Sequence, residues 1–273
     1  MTIRDAKGCM EDRIPVNNVL VSVFDKTGLD TFVLGLFDIN PNVRFMSTGG
    51  TYTAIAGYLG DAAKDHLIQV SDYTEFPEME GGLVKTLHPK LHAGILGERN
   101  NPAHQEYLKN LGKTVNFIGE QLSSGCVIGT DVTRVFDAPV DNTYVVSIAE
   151  NMPAVYIDMV VGNLYPFDKV TADPNVPFEK ARGNIDIGGP TMIRGAAKNF
   201  ASCAVVCDPA DYAAVLGGIR TNEGCTTFEQ RALLVPKVFE MTGKYDTMIA
   251  QYMAEQMKDP AKVKAGYQFT GGN

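Results

Sequence analysis

The chemistry open to this chain is concentrated in short stretches that mix glycine with hydroxyl, lysine and carboxylate side chains. STGGT (47–51) sets Gly49 and Gly50 among three hydroxyl residues at a predicted helix start, and FDKTG (24–28) places Lys26 on the preceding turn of the same sheet edge. Backbone N–H groups, hydroxyls and the helix dipole can converge there on a phosphate, with Lys26 as countercharge. GGLVKTLHPKLHAG (81–94) carries Lys85 between the apolar Val84 and Leu87, a setting in which desolvation can free the amine for acid-base or oxyanion work, although on this segment alone it reads first as a solvated loop lysine. His88 and His92 have a metal-ligand spacing only on a helix. Pro89 argues against one, so both read as hydrogen-bonded structural residues. In NLYPF (163–167) and NIDIGGPTMIRGAAKNF (184–200), Gly188 and Gly189 lead into Pro190 at a first helical position, with Asp186 before that helix and Lys198 well inside it. With Asn163 and Tyr165 from the adjacent strand end, these could work as an acid-base set; equally they could be a helix cap and a surface lysine.

The elements that must position these residues are legible as alternating periods. VLVSVF (19–24) and VRFMS (43–47) are β-branched or apolar runs, each followed by a helical pattern, at 29–37 and 52–59. IDMVVGN (157–163) and CAVVC (203–207) are near-continuous apolar runs, as strands covered on both faces should be, with a helix at 190–198 between them. Strand and helix in alternation predict a doubly wound, mainly parallel α/β sheet, with the candidate stretches at its ligand-binding edge. Residues 227–257 carry apolar positions at helical spacing. Residues 112–156, rich in Gly, Ser, Thr and Asp, read as an insertion that forms its own hairpin or small subdomain.

Composition removes several function classes. Lys and Arg number 24 against 32 Asp and Glu, a net charge of −8, so there is no basic footprint for nucleic acid or acidic lipid and any anion must be held locally. The five cysteines form no CxxC pair, which reads as a reducing, cytoplasmic setting with Cys203 and Cys207 as packed thiols. No stretch reaches the roughly 18 uninterrupted apolar residues of a membrane span, and residues 1–15 have no apolar signal core.

Taken in order, SVFDKTG, STGGT, VSDYTEFPEMEGGLVKTLHPKLHAGIL, DMVVGNLYPF, NIDIGGPTMIRGAAKN and VVCDPADY resemble the inosine monophosphate (IMP) cyclohydrolase domain of the bifunctional purine-biosynthesis enzyme. The resemblance implies a methylglyoxal-synthase-like, Rossmann-type sandwich with C-terminal helices. One domain over 16–257 is expected, with residues 1–15 as an extension and 258–273 as a tail. The implied reaction is dehydrative closure of 5-formamidoimidazole-4-carboxamide ribotide (FAICAR) to IMP, without metal or cofactor. A homodimer is expected, and a separate formyltransferase supplying the substrate. Carried over residue by residue, Ser22, Asp25, Lys26, Thr48, Gly49, Gly50 and Thr51 would line the nucleotide site. Thr86, Asn163, Ile187 and Gly188 would surround the reacting ring with four catalytic residues. Lys198 would be the principal proton carrier, Asp186 the acceptor that orients the carboxamide, and Lys85, Tyr165 and the Ile187 and Gly188 amides donors to the oxyanion or formyl group.

Two positions depart from the family pattern. Leu83 stands where the family has Arg, removing a bidentate donor that Lys90 or a residue of the insertion would have to replace, and Phe24 stands where Ser is common. Two other readings share the phosphate turn: a methylglyoxal-synthase-like lyase, which the Asp186 to Lys198 block disfavours, and a non-catalytic nucleotide-binding regulatory domain, which would not need Lys85, Tyr165 and Lys198 together.

Overall fold

Short apolar runs assemble into one five-stranded parallel sheet in the computed structural model, which describes residues 10–76, 79, 83–111, 113–118, 145–150 and 153–268. The first part of the chain runs β1 (Ile14–Pro15), β2 (Asn18–Ser22), α1 (Leu29–Ile39), β3 (Arg44–Ser47), α2 (Gly49–Leu59), α3 (Ala63–His66), β4 (Leu67–Gln69) and α4 (Val70–Thr74). Next come α5 (Pro89–Leu96), α6 (Pro102–Asn110), β5 (Lys113–Ile118) and β6 (Val145–Glu150). The remainder is β7 (Met159–Gly162), α7 (Phe167–Thr171), α8 (Phe178–Gly183), α9 (Gly188–Lys198), β8 (Ala204–Val206), α10 (Tyr212–Thr221), β9 (Cys225–Thr226), α11 (Phe228–Gln256) and α12 (Pro260–Ala265).

The sheet order is β4-β3-β2-β7-β8, every neighbouring pair parallel. The chain starts in the centre, winds out to β4, and returns to β7 on the other side of β2, so the switch point lies where β2 and β7 end side by side, Ser22 opposite Gly162. Helices α1, α2 and α10 pack together, and α5, α9 and α11 pack together; right-handed crossovers put the two groups on opposite faces. The strand residues Val19, Leu20, Val21, Phe45, Val160, Val161 and Val205 are therefore buried from both sides. Cys203 and Cys207 are free thiols in this core; burial pushes Cys207 up to about 11 and makes it a poor nucleophile at neutral pH.

Two expectations need adjustment. Residues 89–92 do form the start of a helix, with His88 as its N-cap, because proline occupies the first helical position of α5, where its missing N–H has no intrahelical partner to lose. Helix α2 begins at Gly49, three residues before the apolar periodicity does. Within the expected insertion, β5 and β6 pair antiparallel from Lys113↔Glu150 to Ile118↔Val145; residues 119–144 lie outside those described.

Two buried charged residues tie distant segments. Asp158, ion-paired with Arg99, accepts the main-chain N–H groups of Asn17 (2.8 Å) and Asn18 (2.6 Å) at the start of β2. Arg231 on α11 is 0% exposed and donates to five carbonyls: Glu11 (3.1 Å), Asp12 (3.0 Å), Phe200 (2.8 Å), Ala201 (3.1 Å) and Thr226 (2.8 Å).

Candidate active site at the carboxyl edge of the sheet

The switch point is locked by one carboxamide. Asn163, just past β7, accepts the N–H groups of Phe24 (2.7 Å) and Asp25 (2.9 Å) on its Oδ1 and donates from Nδ2 to the Asp25 carbonyl (2.9 Å), so the loops leaving β2 and β7 move as a unit. Asp25 accepts the amide (2.9 Å) and hydroxyl (2.7 Å) of Thr27, which hold its pKa below the usual carboxylate value. The Lys26 ammonium rests 3.4 Å from the carbonyls of Val23 and Phe24. Two hydroxyls singled out in the sequence are committed to the main chain: buried Ser47 donates to Val21 (2.8 Å) and buried Thr51 to Val23 (2.9 Å). Thr48 is the N-cap of α2 but makes no side-chain capping bond, so the first amides of that helix have no side-chain cap.

The facing wall is a strap, residues 83–88, laid against two helix starts. Val84 holds φ +66°, a conformation that strains a β-branched residue, and its carbonyl accepts the Leu87 N–H at 3.1 Å. The turn sends Lys85 and Thr86 apart. Lys85 Nζ stands 3.9 Å from where a Cβ on Gly49 would project, over the start of α2. Thr86 is buried at the start of α9, its Oγ1 only 2.4 Å from where a Cβ on Gly188 would lie, so a side chain there would displace it.

Asp186 sits behind this start and accepts the Gly189 N–H at 2.9 Å, with further main-chain hydrogen bonds from Gly188 and Tyr165. Burial still raises its pKa, the desolvation outweighing those amides. Its own N–H donates to the Tyr245 hydroxyl of α11 (2.7 Å). Tyr165 packs edge-on against Phe24, ring centroids 4.6 Å apart. Beyond them opens a hollow of about 790 Å³ that extends past Cys207 to α11 and is lined by Lys26, Lys169, Lys237 and Lys244 among others.

Most of the residues singled out thus meet at this edge: Ser22, Asp25, Lys26, Asn163 and Tyr165 at the switch point, Thr48 to Thr51 at α2, and Lys85, Thr86, Asp186, Ile187 and Gly188 where the strap meets α9. Lys198 does not join them. It ends α9, about 15 Å of helix from Gly188, and lines a separate hollow with Arg99, Phe200 and Ser202 at the opposite edge, where the chain enters β8. Asp186 and Lys198 are one element in sequence, but a helix antiparallel to its strands carries its two ends to opposite sheet edges. Nor does Lys90 replace the guanidinium missing at position 83. Leu83 is 59% exposed, whereas Lys90 is buried with its ammonium 4.6 Å over the Tyr73 ring. His88 caps α5, its Nδ1 accepting the Lys90 N–H at 3.1 Å. Sequence reasoning missed Thr27 and Tyr245. Thr27, two residues after Asp25, was readable as a turn partner. Tyr245, 59 residues from Asp186, carried no local signal.

The family model described as the AICARFT/IMPCHase bienzyme matches residues 196–271. The bifunctional purine biosynthesis protein PurH of Chlorobium phaeobacteroides (strain DSM 266) is 41% identical over 239 residues, 88% of this chain and 37% of that protein. PurH of Acetivibrio thermocellus is 40% identical over 242 residues, 89% of this chain and 38% of that protein. The chain therefore spans less than two fifths of the length of these relatives. The crystal structure of ForH matches with a TM-score of 0.59 and 25% sequence identity, over 86% of this chain and 97% of that one.

Proposed function

We propose that this chain, related over nearly its whole length to the bifunctional purine biosynthesis proteins, is an IMP cyclohydrolase that closes the formamido ribotide to the purine nucleotide with loss of water. One observation carries the reading: the strap brings Lys85 to the α2 start and Thr86 to the α9 start, so a phosphate-suited turn and a set of polar groups share one edge.

In the reaction the carboxamide nitrogen attacks the formyl carbon and gives up one proton as the C–N bond forms; the formyl oxygen becomes an anion, takes up that proton, and leaves as water with the second proton from the formamide nitrogen as the ring C=N bond forms. The open amides at Gly49 and Gly50, with Lys26 as countercharge, take the phosphate and fix the ribotide. An ionised carboxylate has about four acceptor sites. The Gly189 amide takes one at 2.9 Å, and Asp186 orients the attacking carboxamide with capacity that remains. The Tyr165 hydroxyl and the Lys85 ammonium are the donors for the developing oxyanion. Folding the two substituents of the imidazole together is the main rate contribution, because it replaces a search over rotamers by one near-attack geometry. Lys198 enters this scheme only when a second copy of the chain presents its opposite edge, in keeping with the expected homodimer.

The test is conversion of synthetic formamido ribotide to IMP, followed in the ultraviolet, by the purified chain without metal or folate. Turnover that Lys85→Ala lowers at least a hundredfold supports the reading. Absence of turnover with retained IMP binding overturns it in favour of the regulatory-domain alternative.

A further inference from the structure

Residue 88 stands at the joint between the strap and α5. Its backbone is extended (φ −127°, ψ 137°), Pro89 follows as the first helical residue, and the ring Nδ1 accepts the N–H of Lys90 at 3.1 Å. The His88 carbonyl accepts the N–H groups of Leu91 and His92, both at 3.1 Å, so this residue closes the first turn of α5 from main chain and side chain at once. On its other side, among the described residues, the strap carries the Leu87 N–H to Val84 C=O bond across the strained Val84 and an antiparallel bridge from Leu83 to Met79. From the α5 end the strap is thus held at its joint by the His88 imidazole cap, with His92 of α5 hydrogen-bonded to the Thr86 backbone beside it.

We infer that His88 is a positioning residue for Lys85 and Thr86, and that it works only as the neutral tautomer with its proton on Nε2. An Nδ1 that accepts from Lys90 has no proton; protonating it turns an acceptor toward a donor, breaks the cap and loosens the strap. Helix caps ordinarily use Asn, Asp or Ser oxygens, which do not make this change near neutral pH. The charged and titratable neighbours of the ring, Lys90 and His92, both oppose a second positive charge, and the ring also packs 5.1 Å from Phe76. Burial and these neighbours hold its pKa below the ordinary histidine value.

The inference rests on the cyclohydrolase reading where it concerns turnover, so its test has a readout independent of that reading. Amide hydrogen exchange at Lys90 and Leu87 is followed between pH 5 and 8, corrected for intrinsic exchange, in wild type, His88→Asn and His88→Ala. Turnover is measured alongside. Expected is a wild-type protection at both amides that falls at the acid end together with kcat/KM, about tenfold per pH unit below the imidazole pKa. His88→Asn, whose oxygen keeps the cap, retains protection and turnover and loses the acid limb. His88→Ala loses protection at both amides at least tenfold at pH 7.5, with a matching fall in turnover. Unchanged Leu87 protection in His88→Ala, or an unchanged acid limb in His88→Asn, overturns the inference. Absence of turnover in every protein disposes of the cyclohydrolase reading and leaves the exchange data to decide the cap.

Discussion

The main-chain N–H of Asp186 donates to the hydroxyl of Tyr245 at 2.7 Å, and this bond pins the start of α9 to the middle of α11. Tyr245 is 3% exposed, and Asp186 in turn gathers the amides of Gly189, Gly188 and Tyr165. Tyr245→Phe removes only the acceptor and leaves an N–H unpaired in a half-buried place. The expected cost is about 1–3 kcal/mol, read by denaturant unfolding, with a fall in turnover as Tyr165 loses its reference point. Full stability and full turnover in that variant would show the bond to be dispensable.

Asn163 both accepts and donates at the switch point. Asn163→Asp keeps the two accepted bonds but turns a carboxylate toward the Asp25 carbonyl, and Asn163→Ala loses all three. Both are expected to lower kcat/KM at least tenfold, with Asn163→Ala the less stable of the two. Steady-state kinetics and melting curves on the pair separate lost geometry from lost stability.

Gly188→Ala tests the fit of strap to helix. The added methyl lies 2.4 Å from Thr86 Oγ1, so the threonine or the helix start must shift. Turnover is expected to fall at least tenfold, and combination with Thr86→Ala, which makes room, to recover part of the loss. A double variant no better than Gly188→Ala would place the damage in α9 itself.

His88 and His92 both have pKa values held below 6.5 by burial. A histidine depressed in the folded state binds its proton later than in the unfolded chain, so its contribution to stability is complete above about pH 6.5 and is lost as pH falls toward the folded value. Unfolding free energy should therefore decline from pH 7.5 to 5.5. His88→Asn should flatten that decline, which urea titrations at three pH values will show.

Lys198 at the far edge makes a prediction about assembly. If a second copy brings it to the site, Lys198→Ala and Lys85→Ala are each inactive alone, and mixing them restores up to about a quarter of wild-type turnover through the one intact site of a statistical heterodimer. No recovery, in a mixture shown by sizing to exchange subunits, would exclude a contribution of Lys198 across the dimer.

Much of this arrangement was open to inspection in the residues. Apolar runs such as 157–163 and 203–207 marked buried parallel strands because covering both faces leaves no polar alternation, and glycine pairs at 49–50 and 188–189 marked the helix starts because open amides need room. What escaped was whatever depends on direction or on long range. The 3.6-residue period of 188–198 says which residues share a face, yet not that Lys198 points to the other edge of the sheet. Pro89 reads in sequence as a helix breaker because its cost inside a helix is large, and only the cap at His88 shows that it begins one.

The buried guanidinium of Arg231 has a consequence for how the chain is made. Its five carbonyl partners come from residues 11–12, 200–201 and 226, so the clasp over the leading arm cannot form until residue 231 has been synthesised, some 220 residues after the first partner. During translation the central strand and its neighbours wait with that arm undocked, and contacts of this sequence separation are the slow ones. A ribosome-bound chain stopped short of residue 231 should therefore remain open to protease within residues 10–20. One long enough to expose α11 outside the exit tunnel should be protected there.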